Sequence, residues 1–554
     1  MTGIAVGAAV GLSLLALSMG PREVRLDAFD DQGQQFFPTF TDGGAVTELE
    51  VVEYREAAGA PYPFVVKRDD KGRWTIPSHG NYAADAKDRM GKAAAMMIGL
   101  VKQSVIGDVK GRHVDYGVVD PLDSSAETKG RGKRIKMKDS AGNVLADLVI
   151  GKAVEGKMQE FYVRVPDKKR VYRTKIDGEL STKFADWIET DLLKAQSWDI
   201  AKVIFDNYSV NEQGRTLAEA IVRGDKFVLR KDDAGKWTFD GIDATKEDPN
   251  EDKLREIGDT LGQIKIVGVR GKPPGLTARL ERANGIEEQI LQNELGRKGF
   301  FLVDGKLYSN EGDLFFETKK GVRYTLRFGE LVLGDGDEVS AGTATTTEKP
   351  KEGDPAKAAN NRYLMVTAEF AEDLLTKPAG ARLPADQLTK RAEARTQIEA
   401  IQRAVEAFRT KNENKLPETL AKLTEKPAEG DAMLAELKKD PWDNDYQLVV
   451  VGDAYAVVSF ADGKVEGGEG IAMDVRSDRL PLEDELKKTA DTWTEYDGKV
   501  KEGQAEADKL TKRFGPWYYV IDQALFAKLK PARADLVKVK AAAPAEAPVN
   551  GPGK

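Results

Sequence analysis

The side chains that could do chemistry in this 554-residue sequence are few and scattered. His79 and His113 are the only histidines, and no His-Glu-x-x-His or His/Cys ligand spacing exists, so a histidine-held metal or a histidine-based triad has little to be built from. There is no cysteine, which removes disulfides, thiolate nucleophiles, iron–sulfur clusters, cysteine–zinc sites and a lipoprotein anchor together. Gly151-Lys-Ala-Val-Glu-Gly-Lys157 matches a phosphate loop for seven positions. Met158 then replaces the Ser/Thr, and a strand pattern over 161–165 follows where a helix N-terminus must supply N–H donors, so the stretch reads as a hairpin turn. With 92 carboxylates an acidic pair for glycoside hydrolysis can be found anywhere, and spacing carries no information. Trp517 and Tyr518 could line a sugar or peptide groove, but at strand spacing they read as core and rim.

The elements that must position these groups follow from composition and pattern. The length fits three or four domains, and 41% apolar residues suffice to give each a core. A net charge of −8 provides no long-range field for nucleic acid. The one basic run, 129–138, alternates with Ile135 and Met137 ahead of a Ser140-Ala-Gly-Asn143 turn, which reads as the wet face of a hairpin. Residues 3–20 carry no charge and are close to the shortest helix that spans a ~30 Å hydrocarbon core. They are read as a membrane signal, either an uncleaved anchor or one cleaved near Ala16-Leu17-Ser18; a buried helix of a soluble domain is the alternative. Arg22 and Arg25 follow the run, which by the positive-inside rule alone would leave the body cytoplasmic.

An internal similarity is visible in the middle of the chain. Phe64-Val-Val-Lys-Arg-Asp-Asp-Lys-Gly-Arg-Trp-Thr-Ile76 matches Phe227-Val-Leu-Arg-Lys-Asp-Asp-Ala-Gly-Lys-Trp-Thr-Phe239 nearly position for position. Each copy predicts a β-hairpin whose turn glycine, Gly72 or Gly235, takes a positive φ, with Trp74 or Trp237 facing inward and a helical stretch following. Short aromatic strand pairs also recur, at 160–165 with 171–172 and at 299–303 with 307–308. Residues 341–360 lack apolar periodicity and read as a linker, 483–514 as a highly charged helix with one apolar face, and 541–554 as a disordered tail.

Two resemblances add to this reading. An amphipathic helix ending near Lys411, then Lys439-Asp440-Pro441-Trp442-Asp443-Asn444-Asp445-Tyr446-Gln447, then Ala461-Asp462-Gly463, Gly467-Gly468-Glu469-Gly470 and Met473-Asp474-Val475, resembles the globular part of the major pseudopilin of type II secretion systems. That family commonly holds calcium in its closing Gly/Asp loop, and Asp462 and Asp474 fall on its acidic pattern, which implies them as carboxylate ligands. Ala472 stands where the family has a further aspartate. The hairpins, Tyr116-Gly-Val-Val-Asp-Pro121, Ile150-Gly-Lys152, Asn361-Arg-Tyr-Leu364 and Trp517-Tyr-Tyr-Val520 resemble a bacterial family known as domain of unknown function 4340, over most of 45–380 and 481–535. Its members occur in membrane-anchored envelope proteins, and the family has no established activity.

The expected molecule is an α+β protein with an N-terminal membrane helix, duplicated β-hairpin/helix modules and an inserted pseudopilin-like helix-plus-antiparallel-sheet domain. Its expected parts are 1–22 as anchor or signal, 45–195 and 196–335 as the two modules, 341–360 as linker, 361–383 with 481–535 as the C-terminal part of the repeat family, 384–480 as the insertion, and 541–554 as tail. The expected role is a non-enzymatic scaffold or accessory subunit of an envelope transport or secretion assembly. It would be held by residues 3–20 as a single-pass protein with its bulk extracytoplasmic, with envelope proteins and not nucleic acid as partners. The alternatives are an envelope hydrolase with an acidic pair and a pseudopilus-associated component.

Overall fold

The structure is a computed structural model and describes residues 31–540, except 57, 127, 190, 212, 215–216, 273–287, 304–305, 333–360 and 453. The apolar run 3–20, the linker 341–360 and the tail 541–554 lie outside the described residues. No helix among the described residues is long and apolar enough to cross a membrane. What is described is a mixed α+β protein of antiparallel sheets and helices.

The first third of the chain holds β1 (Glu48–Arg55), β2 (Ala60–Arg68), β3 (Trp74–Ile76), β4 (Tyr82–Ala83), helix α1 (Lys87–Met97), β5 (Ser104–Gly107), β6 (Lys133–Lys138), β7 (Val144–Ala153), β8 (Glu160–Arg164) and β9 (Val171–Lys175), its strands forming one sheet. The strand order is β4-β3-β2-β1-β6-β7-β8-β9-β5. Period-two alternation decides the facing: Leu49, Val51, Phe64, Val66, Ile135 and Met137 are buried on one side. On the other, Glu48 lies opposite both Lys67 and Lys138 and pairs with them at 3.3 and 2.5 Å. The basic run 129–138 is thus a salt-bridged sheet face, with Arg134 held by Asp120 and Asp147.

A second sheet follows from β10 (Ile200–Val210), β11 (Ile221–Lys231), β12 (Trp237–Phe239), β13 (Glu247–Pro249), α2 (Glu251–Gly262), β14 (Ile266–Gly271), α3 (Glu288–Gly296), β15 (Phe300–Val303), β16 (Lys306–Ser309), β17 (Asp313–Thr318), β18 (Val322–Val332) and β19 (Asn361–Phe370). Its order is β12-β11-β10-β17-β18-β19-β23-β14, where β23 is Trp517–Asp522. Apart from β4, the first sheet runs in the same order, hairpin at one edge and post-helix strand at the other. The chain joins β8 to β9 by the turn 165–170, whereas 371–516 lie between β19 and β23. Those residues hold α4 (Ala385–Lys411), β20 (Gln447–Val451), β21 (Ala454–Ser459), β22 (Val475–Arg476) and α5 (Leu480–Phe514); α6 (Gln523–Lys528) and β24 (Val537–Val539) close the chain. By this order the counterparts of the aromatic strands β8 and β9 are β19 and β23. The similar-looking pair β15–β16 instead forms a separate two-stranded sheet, so aromatic content alone mispairs these segments.

The two sheets share one continuous apolar core. Segment 176–195 joins them through Phe184, Trp187, Leu192 and Leu193, and the Tyr324 hydroxyl donates to the Leu193 carbonyl at 3.1 Å. Trp237 is buried at 5% exposure with its ring over Gly258 of α2, where a Cβ would stand 3.1 Å from it. Trp74 is half-buried at the core margin, with the Arg68 guanidinium 5.0 Å from its ring. The C-terminal half of α5 packs through Ala507, Leu510 and Phe514, and Gly503 lets it approach so closely that a Cβ would lie 2.5 Å from the Lys320 carbonyl. The insertion has its own core: Ala394, Ile398, Ile401 and Val405 of α4 meet Trp442, Tyr446, Val457 and Val475.

Candidate functional site

The insertion is organised by one carboxylate. Asp440 is buried at 4% exposure, and its Oδ1 accepts from the Trp442 and Asn444 N–H groups at 3.0 and 2.8 Å. Its Oδ2 accepts from Asn444 Nδ2 at 3.2 Å and from the Ser459 hydroxyl of β21 at 2.5 Å. The turn this makes is also that of Asp69, Asp139 and Asp232 in the three sheet hairpins, where the aspartate accepts from the residue four positions on. In those the residue three after the aspartate is Gly72, Gly142 or Gly235 at φ +76, +84 and +84°; here Asp443 occupies it at φ +70°. Trp442 Nε1 donates to Gln387 Oε1 at 2.9 Å, and the Tyr446 hydroxyl to Gln397 Oε1 at 2.7 Å, which fixes the sheet to α4.

The loop between β21 and β22 runs through Gly467, Gly468 and Gly470, all at positive φ. Gly463 and Gly468 wrap the Ala472 carbonyl so closely that Cβ atoms there would lie 2.8 and 2.3 Å from it. Asp474 is buried at 8% exposure; its Oδ2 accepts from the Gly467 N–H at 2.9 Å, and its Oδ1 is buried with no hydrogen-bond partner. Asp462 sits exposed on the 3-10 turn Ala461–Gly463. The orphaned Asp474 oxygen is a donor of the kind a hard cation takes. The carboxylate count fits it less well: Ala472 supplies none, and no group of three or more His, Asp or Glu able to hold a metal occurs among the described residues. Arg476, held by Asp478 at 3.0 Å, lies within electrostatic reach of Asp474 and offsets part of its charge.

The same loop is clamped to the body by Arg391 of α4. Its guanidinium is 2% exposed, donates to both Glu483 oxygens of α5 at 2.9 and 2.6 Å, and donates to the Met473 carbonyl at 2.7 Å. Arg395 pairs with Asp484 one residue on. This buried, bidentate pair satisfies two ions that would otherwise be costly to desolvate, and it sets how the insertion sits on α5. In the sequence Arg391 is one charge among several on its helix, and nothing in its spacing points to a partner 92 positions away.

The remaining candidates are structural. His79 is buried, stacks on Phe184 at 4.2 Å and lies 2.9 Å from the Ser78 hydroxyl; burial, helped by the Arg270 charge, pushes its pKa down to about 4. His113 Nε2 lies 2.8 Å from the Lys169 carbonyl. Gly151 to Lys157 run along the end of β7 into its turn, with the Lys152 ammonium on the Asp115 carbonyl. Tyr518 is fully buried and Trp517 packs edge-on against Tyr82 at 5.0 Å. Asp313 is the described carboxylate whose pKa burial raises, and it is taken up by Arg327 at 3.2 Å and the Tyr208 hydroxyl at 2.5 Å.

Comparison with known families agrees with the two kinds of architecture. Residues 74–282 match the family model described as domain of unknown function 4340, from β3 in the first sheet past β14 in the second. Residues 383–478 match the one described as type II secretion system, protein G, from just before α4 to just past β22. No curated protein is similar to the chain at a significant level. The chain therefore contains a segment similar to domain of unknown function 4340 and, inserted between two strands of the second sheet, one similar to type II secretion system protein G.

Proposed function

We propose that this protein is a non-enzymatic scaffold or accessory subunit of an envelope transport or secretion assembly. It is anchored by residues 3–20, with its bulk outside the cytoplasmic membrane. The observation that carries this reading is the protein G domain presented at the N-terminal end of α5 on a buried ion pair. α4 spends its apolar stripe on its own sheet and carries Arg391, Arg395, Arg403 and Arg409, so it is not a filament-forming helix, and the domain is displayed as a docking module. The shared strand order of the two sheets supports their origin by duplication, with the insertion lodged where the first sheet has a short turn. The test is crosslinking in native membranes: secretion or transport components should be recovered with the full chain and lost when 385–478 are replaced by a short Gly/Ser linker. Recovery of the same proteins from both, or of none from either, overturns the docking role. External protease should digest the body in spheroplasts while a cytosolic control survives; a protected body reverses the topology.

The Gly/Asp loop is where calcium would sit, on Asp462, Asp474 and backbone carbonyls. Calorimetry of the full chain should show calcium binding that Ala472→Asp strengthens and Asp474→Asn abolishes. No calcium heat in either the native chain or Ala472→Asp leaves the loop a purely structural element.

A further inference from the structure

Outside the insertion, the start of β10 and the ends of β11 and β17 face segment 373–379 and the middle of α5 across a groove of about 1160 Å³. That exceeds the ~300–1,000 Å³ of small-ligand pockets. Seven lysine and arginine side chains line it against four carboxylates, in a chain whose net charge is −8. Three of those carboxylates are already committed: Glu317 lies between Lys202 at 3.1 Å and Arg323 at 3.0 Å, Asp373 faces Arg323 at 3.0 Å, and Asp233 pairs with Lys319 at 3.3 Å. Arg230 and Lys377 are taken up by Asp240 and Glu372, which leaves Glu495 as the lining carboxylate against Lys231, Lys488 and Lys499. Lys488 and Lys499, both lining the groove from α5, make no ion pair among the described residues. On the facing wall the Lys231 ammonium has, among the described residues, the Ser197 carbonyl at 3.0 Å and the Trp237 ring. At ~1.5 Å rise per helical residue, Lys488 and Lys499 stand about 17 Å apart, the span of about five extended residues.

We infer that this groove docks an extended acidic polypeptide segment, with carboxylates about five residues apart pairing with Lys488 and Lys499 and Lys231 supplying a third cation. The lining favours a peptide over a base or sugar. Its aromatic residue, Tyr496, is buried with its hydroxyl on Glu372 at 2.8 Å, so it offers no stacking face. The groove is separate from the insertion, so its test stands apart from the partner reading above.

The experiment is fluorescence anisotropy of the full chain in detergent with a labelled serine peptide carrying two glutamates about five positions apart. Pairs this exposed are individually weak and salt-screened, so binding should be strongest at low salt and weaken about ten-fold or more in Lys488→Glu/Lys499→Glu. Lys157→Glu, on an exposed turn of the first sheet, should leave it unchanged. Circular dichroism keeps the comparison to folded protein. Equal binding by the double variant, equal binding of the matching lysine peptide, or no binding at low salt overturns the proposal. So does a result in which the double variant loses affinity for anionic phosphatidylglycerol vesicles but not for the peptide.

Discussion

Asp443 shows how one backbone angle separates this insertion from the hairpins that share its turn. A non-glycine residue in the left-handed region carries a steric cost of roughly 1–2 kcal/mol, reduced for aspartate. Its ion pair with Lys439, at 3.3 Å and with the Asp443 side chain 87% exposed, returns little. Asp443→Gly should therefore stabilise the insertion by about 0.5–1 kcal/mol, read as slower hydrogen exchange across 383–478 in the full chain. Asp440→Ala should act oppositely, by about 2–4 kcal/mol, because it strands buried donors at Trp442, Asn444 and Ser459. His79 makes a pH prediction. Its folded pKa of about 4 lies below the unfolded value of about 6.5, so between those values the unfolded chain binds more protons. Stability should be full above about pH 6.5 and fall as pH drops towards 4, and His79→Phe, which keeps the stack on Phe184, should flatten that slope in denaturant titrations.

At the scale of elements, the Arg391–Glu483 pair decides whether α4 and α5 act as one unit. Glu483→Leu or Arg391→Met alone leaves a buried charge uncompensated and should destabilise the docked insertion by about 3–5 kcal/mol; the two changes together should be close to neutral. A thermodynamic double-mutant cycle reads the difference, and simple additivity of the two single changes would mean the ions are solvated. The hairpins were legible from sequence because each is local: the aspartate, the glycine three residues on and the alternation flanking them are all in one window. Facing was less so. Trp237 is core and Trp74 only half-buried, although their thirteen-residue settings match, because Gly258 of α2, which lies against the Trp237 ring, is outside that window.

For the whole molecule, the separation of the insertion's core from the continuous core of the two sheets predicts independent stability. Excising 385–478 and bridging with a short flexible linker should remove one calorimetric transition. The body should still melt within a few degrees of its original temperature, because α5 keeps Ala507, Leu510 and Phe514 in the sheet core. A collapse of the body transition would show that α4 and the protein G domain are part of the main fold.

The sequence alone determined the local features of this protein: the hairpin turns, the helices α2, α4 and α5 to within a few residues and the existence of α1, and the order of helix, Asp-Pro-Trp turn, two strands and Gly/Asp loop in the insertion. These depend on periodicities and turn chemistry that act over a few residues. The tertiary structure alone decided that β19 and β23, separated by 371–516, complete one sheet, that Arg391 meets Glu483, that Asp474 is buried with an unpartnered oxygen while Asp462 faces solvent, and that cations from β11 and α5 line one groove. Each of these is a pairing between distant positions. Strand partners and buried ion pairs are selected by mutual burial and hydrogen-bond satisfaction, which are properties of the folded arrangement and leave no mark at either position taken singly.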